Sequence, residues 1–433
     1  MHVLIINQTF YPDVAATAQH AHDLAKHLHN HGHEVSVVTS RSLYGQSGAA
    51  LPRTDVVDGI QILRVGQSIF GKASILARIL DFSLFYMASA MKVMFVKRPD
   101  VVICLTTPPF IALVGLLVRR LRGGRCVYWV MDLYPDLPVA CGVMRPDALL
   151  TRFFFFVNKV CLRRADRTVV LGRCMRGRIA AQGVNGPNIV PIDVWPPADN
   201  LAQHRDAPNP FRTKWAPQNR FVVMYSGNFG LGHDVHTMCE AARLLNNESR
   251  VHFVFAGGGK KKTQVDEFVN VERLQNCTLV GFQPRDLLAD SLGAADVHLV
   301  TLSEGVEGIM VPSKLFGIMA AGRPTIFVGA ETSEIARILA ENNCGLTVRP
   351  GDAEALATAI TRLTDDPAVC RAMGERARRA IEQRYAQSHA LERWRALLDD
   401  LVAPTGAPAA ESPAQQASAI RGRESHQNPT ART

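Results

Sequence analysis

Short β-branched segments, each followed by an amphipathic stretch, fill the first half of the chain, stop at a proline-rich passage and then begin again. That doubled series constrains the fold more than any other feature. Val3 to Ile6, Glu34 to Thr39, Val101 to Leu105, Cys126 to Val130 and Thr168 to Leu171 read as buried strands. Helical patterns at Thr17 to His29, Ser74 to Lys97 and Ala148 to Arg164 separate them. Such alternation gives a parallel sheet covered on both faces. The passage Val194-Trp195-Pro196-Pro197-Ala198-Asp199-Asn200 reads as a linker. After it, strands are expected at Phe221 to Ser226, Val251 to Ala256, Cys277 to Val280, Val297 to Thr301 and Thr325 to Val328. Helices are expected at Val235 to Leu245, Gln264 to Gln275, Arg285 to Leu292, Ser313 to Ala321 and Glu334 to Glu341, with Ala353 to Thr364, Ala368 to Arg384 and Ser388 to Val402 closing the ordered chain. The fold class is therefore α/β, two doubly wound Rossmann-like domains in tandem. Ligands of such sheets bind beyond the carboxyl ends of the strands, so the interdomain cleft is the expected site.

Composition narrows the function classes. With 433 residues, 47% of them hydrophobic, the chain can fill two large cores and is not disordered as a whole. From about Pro404 onward, Ala, Pro, Gln and Ser dominate, and a disordered tail is expected. Nine cysteines without CxxC spacing support neither a disulfide framework nor a zinc ribbon, which fits a reducing compartment. The net charge of +9 implies an anionic partner. Because the basic residues are spread out and no nucleic-acid-binding signature appears, nucleic acid is not expected. Met1 leads straight into a strand pattern, so no leader peptide is expected. Val101 to Val118 approaches membrane-spanning length without a charge, but Thr106-Thr107-Pro108-Pro109 reads as a turn between a strand and a helix.

Four segments could carry chemistry. Gly227-Asn228-Phe229-Gly230-Leu231-Gly232 sits where a strand gives way to a helix, where backbone N–H groups can meet a phosphate. The bland alternative is a glycine turn. Gly257-Gly258-Gly259-Lys260-Lys261-Lys262 repeats the arrangement with cations that can pair with a diphosphate, or that simply face solvent. Glu307 and Gly308 precede Pro312-Ser313-Lys314, which starts a helix. A lysine in a first turn opposes the helix dipole unless an anion is bound. In the first half, Asp132-Leu133-Tyr134-Pro135 places a carboxylate just past a strand, facing the cleft or capping a turn. Tyr11 to Ala18 follows the first strand, with Thr17 expected to cap the next helix. The histidines at 20, 22, 27, 29, 31 and 33 scatter around a helix and into a loop without an HExxH pattern, so a solvated face and no metal are expected. No GxSxG, P-loop or kinase motif is present.

These motifs, in this order, resemble retaining glycosyltransferases of family four, which have the GT-B fold, and within them the branch that builds bacterial O-antigen, colanic-acid and capsular polysaccharides. The resemblance covers residues 1 to about 400 and rests chiefly on Asp132-Leu133-Tyr134-Pro135, Gly227-Asn228, and Val311 to Leu315 with Met319 to Pro324. It implies an acceptor-binding domain over residues 1–196, a nucleotide-sugar-binding domain over 200–384, a helix over 385–402 crossing back to the first domain, and a tail over 403–433. It implies Asp132, Glu307 and Lys314 as catalytic residues. Gly227, Asn228, Gly230, Gly232, Gly257, Gly258, Lys262, Phe282, Gln283, Pro312, Ser313 and Lys314 would hold the donor, with Gly281 to Pro284 at the nucleobase. Ala16, Thr17 and Tyr134 would lie on the acceptor side. The expected donor is a nucleoside-diphosphate sugar, UDP-linked by similarity to the branch, and neither a cofactor nor a metal is expected. The sequence departs from the family at Gly317, where a ribose-binding glutamate is usual, at Met131, where histidine is common, and at Ala15-Ala16, where glycines are usual. The paired glutamates usual near Glu307 are not both present, and the Arg…Lys pair usual after the Gly227 strand is missing. A nucleotide-sugar epimerase on the same architecture and a catalytically inert binding protein are the alternatives.

Ser68 to Arg98 and Phe153-Phe154-Phe155-Phe156 carry more apolar residues than one sheet-covering layer needs, beside Lys72, Arg78, Lys92 and Arg152. They are expected either to seat the enzyme on an anionic membrane surface or to bury against the first sheet or a partner subunit. The first reading gives a peripheral enzyme on the cytoplasmic face, meeting a polyprenyl-diphosphate-linked saccharide acceptor.

Overall fold

The computed structural model describes residues 1–43, 50–67, 75–197, 209–216 and 220–403, with backbone alone for 75–78. The expected tail and the part of the linker from Ala198 lie outside them. In the first half the strands are β1 His2–Ile6, β2 Glu34–Ser40, β3 Thr54–Val57, β4 Ile60–Val65, β5 Val101–Cys104, β6 Arg125–Val130, β7 Arg167–Val170 and β8 Ile189–Pro191. They form one sheet in the order β3-β4-β2-β1-β5-β6-β7-β8, parallel except for the β3–β4 hairpin. In the second half, β9 Phe221–Asn228, β10 Val251–Gly258, β11 Cys277–Val280, β12 Val297–Thr301, β13 Thr325–Val328 and β14 Gly345–Val348 form an all-parallel sheet, β11-β10-β9-β12-β13-β14.

The strands are continuous apolar runs because helices cover both faces. Val3, Leu4, Ile5 and Ile6 are wholly buried, as are Val101, Val102, Ile103 and Cys104 beside them. The order of each sheet reverses once, at β1–β5 in the first and at β9–β12 in the second. The crevices at those reversals are where a doubly wound sheet presents its loops to a ligand. The segment read as spanning length is β5, a turn and the helix Ala112–Arg122. No helix among the described residues is long and apolar enough to cross a membrane.

The helix Gln387–Val402 leaves the second sheet and packs on the first domain, beside the helix Ala16–Asn30. Its Trp394 is fully buried, with its ring 4.6 Å from that of Trp129 on β6. Trp129 in turn stacks at 5.9 Å on Trp195, whose Nε1 donates to Asp23 at 3.0 Å. Each such ring pair adds about 0.5–1.5 kcal/mol beyond the burial of its area. Charged contacts rim this core: Arg167 to Asp400 at 2.9 Å, and Arg393 to the Pro191 carbonyl.

Two local expectations are corrected. The helix Ala16–Asn30 is capped by Ala15, not by Thr17, which lies inside the first turn with Oγ1 3.1 Å from Thr9 Oγ1. Asp13 Oδ1 accepts from the Ala15 N–H at 2.9 Å and sets the chain's entry instead. The histidines do not form a solvated face either. His20 is buried with its ring edge against Trp195, His22 lies 3.2 Å from Asp58, and His27 and His31 face Glu392 of the returning helix. Burial, the largest cause, lowers the His20 imidazole to about 3, so it stays neutral in the core.

Candidate active site

At the reversal of the second sheet, β9 ends in Gly227-Asn228 and β10 in Gly257-Gly258, paired Gly227 to Gly257. A Cβ on Gly257 would lie 1.9 Å from the Gly227 carbonyl oxygen, so a side chain there would force the two strand ends apart. Beyond them the chain turns through Gly230 and Gly232, and the Phe229 N–H donates to the Gly258 carbonyl at 2.8 Å. Phe282 lies across Gly258 and keeps 66% of its surface exposed. The result is an open rim of backbone with an aromatic ring at its edge.

Lys314 projects over this rim. It is the first residue of the helix Lys314–Ala320, after Pro312 and Ser313. Its Nζ would sit 3.4 Å from a Cβ on Gly227 and lies 3.7 Å from the centre of the Tyr225 ring. The stem is half-buried, while Nζ is sealed from solvent and has no hydrogen-bond partner among the described residues. Burial, with nothing opposing it, pulls this amine down from 10.5 to about 7. A cation held at a helix start, against the Tyr225 ring and Gly227, is placed to meet an anion. His233 stays neutral nearby, pushed down to about 3 first by burial and then by Lys314, and its Nδ1 donates to the Thr301 carbonyl at 2.6 Å.

The first domain closes the other side. Asp132 follows β6 and pairs with Met310 in an isolated antiparallel bridge, and the Leu133 N–H donates to the Ile309 carbonyl at 2.9 Å. A Cβ on Gly232 would meet Met310 Sδ at 3.0 Å and Leu137 at 3.7 Å, so the glycine loop, the 303–310 loop and the first domain converge at one point. Asp132 has no ion-pair partner among the described residues, and burial raises its carboxyl to about 6. Glu307 Oε2 is also buried and unpartnered. Gly308, at φ +72°, lies where a Cβ would be 2.9 Å from the Cys174 carbonyl of the first domain. Thr17 and Ala16 open the helix that follows β1, and Tyr134 is half-buried two residues after Asp132.

Two expected donor residues are otherwise engaged. Lys262 Nζ binds Asp266 one turn along and lies 5.8 Å from the Phe229 ring, so its charge is already answered. Gln283 folds its amide back onto the Gly281 carbonyl at 2.9 Å. Sequence reasoning assigned no role to Tyr225, the ring beneath the ammonium. It also missed the interdomain latch at Glu334, whose buried carboxylate accepts from Arg173 Nε at 2.9 Å and the Cys174 N–H at 3.0 Å. Neither residue belongs to a motif, because each acts through a contact made only in the folded chain.

An unanswered buried cation costs folding energy, which gives a sign to a mutation. Replacing Lys314→Met should stabilise the chain by about 1–3 kcal/mol at pH 7. Since the unfolded amine keeps its ordinary value and the folded one sits near 7, the unfolded state binds more protons between those values. Wild-type stability should therefore rise with pH above about 7, and the Lys314→Met variant should lack that rise. Urea unfolding at pH 7 and pH 9 measures both.

Known proteins similar in sequence and in fold identify the family. The Glycosyl transferase 4-like domain family matches residues 16–195, and Glycosyl transferases group 1 matches residues 209–380. A probable glycosyltransferase of Pseudomonas aeruginosa, WbjE, is 31% identical over 317 residues, covering 71% of this chain and 76% of its own length. A putative colanic acid biosynthesis glycosyl transferase of Escherichia coli K12, WcaI, is 25% identical over 377 residues, covering 83% of this chain and 91% of its own. Anabaena HepE, solved in complex with UDP and glucose, superimposes with a TM-score of 0.69 at 14% identity, over 92% of this chain and 100% of that one. Sucrose-phosphate synthase of Thermosynechococcus elongatus gives 0.76 at 18% identity, over 93% and 99%. The solved structures speak for the fold, which is GT-B; the two consecutive family matches, together with the relationship to WbjE, make the chain a member of the glycosyltransferases that join a 4-like domain to a group 1 domain.

Proposed function

We propose that this glycosyltransferase moves a sugar from a nucleoside-diphosphate donor, UDP-linked, to a hydroxyl of a polyprenyl-diphosphate-linked saccharide during assembly of a bacterial surface polysaccharide, with retention at the anomeric carbon. The observation that carries the reading is the unpartnered Lys314 ammonium over the glycine ends of β9 and β10. A diphosphate seated there would answer the cation and restore its charge. As the bond from the anomeric carbon to the diphosphate breaks, charge grows on the leaving oxygens, and Lys314 with the nearby backbone N–H groups stabilises it. The acceptor oxygen bonds on the same face, and its proton leaves with the diphosphate. Asp132, across the cleft, positions the acceptor and can take part in moving that proton, since its carboxyl titrates near 6. Anabaena HepE, solved with UDP and glucose and with UDP-glucose, supports the donor class, and WcaI, a putative colanic acid biosynthesis glycosyl transferase, supports the pathway. No observation favours an epimerase.

The test is turnover of UDP-sugars with a lipid-linked acceptor, followed by anomeric analysis of the product. Donor alone should stay unchanged, and EDTA should leave the rate intact, because cations and helix ends supply the positive field. Lys314→Ala should lose about 2–4 kcal/mol of transition-state stabilisation. The profile of kcat/KM against pH should rise as Asp132 ionises near 6 and fall as the empty-site Lys314 loses its proton near 7. An inverted product, or abolition by EDTA with rescue by a divalent ion, would refute the corresponding step.

The acceptor's lipid implies that the first domain meets a membrane, on its cytoplasmic face. Three neighbouring helices there, Ile75–Val93, Ala112–Arg122 and Leu149–Arg164, carry exposed apolar residues: Met87, Met91, Leu117, Leu121, Phe153 and Phe156. Only part of the expected apolar set buries: Phe85 and Val93 turn inward. Phe82, Phe154 and Phe155 are half-buried. Lys72, Arg78, Ile69, Phe70, Ile75 and Leu76 lie outside the described side chains. Arg120 and Arg152, exposed on the same helices, supply cations for anionic headgroups. Flotation with vesicles should need anionic lipid, weaken with salt, and fall when Lys92, Arg120 and Arg152 become Glu. No flotation under any condition would remove the membrane from the account.

A further inference from the structure

We propose that His27, His31 and Glu392 form a site for a divalent transition-metal ion, with Zn²⁺ the ion the donor set suits, and that the ion fastens the returning C-terminal helix to the first domain. His27 lies in the last turn of the helix Ala16–Asn30 and His31 is its C-cap, so the two stand four residues apart on one face. Glu392 comes from the helix Gln387–Val402, more than three hundred and fifty residues later in the chain. One ligand atom from each residue lies within 4.8 Å of the other two. His27 Nε2 is 3.3 Å and His31 Nε2 3.7 Å from the same oxygen, Glu392 Oε1. Donors about 2.0–2.1 Å from a tetrahedral zinc sit about 3.3 Å apart, so small side-chain adjustments would complete the triangle.

The surrounding hydrogen bonds leave the required lone pairs pointing inward. His31 Nδ1 lies 2.8 Å from the His27 carbonyl oxygen. A carbonyl only accepts, so Nδ1 carries the proton in the neutral ring and Nε2 holds the free pair. This is the second-sphere arrangement common to metal-binding histidines. Glu392 divides its oxygens: Oε2 accepts from Arg395 at 2.7 and 3.0 Å, while Oε1 faces the imidazoles. His27 Nε2 is sealed from solvent and turned toward Glu392 Oε1. The result is two imidazole nitrogens and one carboxylate oxygen turned toward a common point, which a cation can bridge.

Arg395 is the nearby charge that would repel an ion, but Glu392 Oε2 and Asp399, at 3.3 Å, already answer it. His31 and Glu392 keep 42% and 46% of their side chains exposed, which leaves room for water as a fourth ligand and allows reversible binding. Two imidazoles and a carboxylate suit zinc among the abundant divalent ions. The helix Ala16–Asn30 has 15 residues, so this cluster lies about 20 Å from the cleft at its other end. Bound there, the ion would stabilise helix docking and play no part in sugar transfer, because the site exists only when the C-terminal helix is docked.

The test uses the untagged full chain, stripped with EDTA and desalted, then titrated with Zn²⁺ by calorimetry and followed by thermal melting. One equivalent should bind, and saturation should raise Tm by at least about 2 °C. His31→Gln and Glu392→Gln should each weaken Zn²⁺ binding at least tenfold and abolish the rise, while the metal-free Tm stays within about 2 °C of wild type. Co²⁺ in the same site should show ligand-field bands without thiolate charge transfer, which separates it from the nine free cysteines. Absence of saturable binding, equal binding by both variants, or a thiolate spectrum would overturn the site.

Discussion

A lysine ammonium with no counter-ion among the described residues, pressed between a tyrosine ring and the glycine ends of two strands, is the point on which the rest of the structure depends. Lys314 can sit there only because β9 and β10 end in glycine at the same register, and because β12 and its loop return the chain to the same crevice. Each of these features is unfavourable alone. Glycine weakens a strand end, and a cation opposes the dipole at a helix start. Together, on the proposed function, they would seat the two phosphates of the donor. That is the recurring exchange at catalytic centres, in which stability is surrendered locally for a preorganised field.

The first domain completes that seat from the opposite side. Asp132 pairs with Met310 through backbone, Gly308 lets the chain pass the Cys174 carbonyl, and the Glu334 carboxylate joins Arg173 to the N-terminus of the helix Arg173–Ala181. The buried Glu334 pair is a specific contact more than a strong one, because desolvation offsets much of its attraction. The helix Gln387–Val402 adds a further tie through Trp394 and the two indoles behind it. The two domains are thus held at three separated places, the cleft, the Glu334 latch and the indole stack. A donor in the cleft would meet residues from both.

Much of this was legible in the sequence because buried parallel strands announce themselves. Cys277–Val280, Val297–Thr301 and Thr325–Val328 begin and end where their β-branched runs do. The strands that escaped notice lie at or beside sheet edges: β3, β8 and β14 are edge strands, and β4 sits next to β3. Thr54–Val57 and Ile60–Val65 alternate instead of running apolar, and the Asp58-Gly59 turn that joins them, with both residues at positive φ, was the overlooked signal. Gly345–Val348 is short and half-buried on the far edge. At the candidate site, the meeting of the glycine loops with Lys314 was legible because glycines at strand ends and a lysine at a helix start stand out in a sequence. Tyr225, Glu334 and Met310 were not, since their roles arise from long-range contacts that leave no local pattern. The histidine series shows the same limit: its spacing along one helix says nothing about Glu392.

The role proposed for Lys314 is recognition of the second phosphate of a diphosphate. Calorimetric titration of the full chain with UDP and with UMP, repeated on Lys314→Gln, tests it most directly. The account predicts that UDP binds the wild type at least tenfold more tightly than UMP, and that this advantage largely disappears in the variant while UMP binding changes little. Equal affinities for UDP and UMP in the wild type, or an undiminished UDP preference in Lys314→Gln, would contradict it.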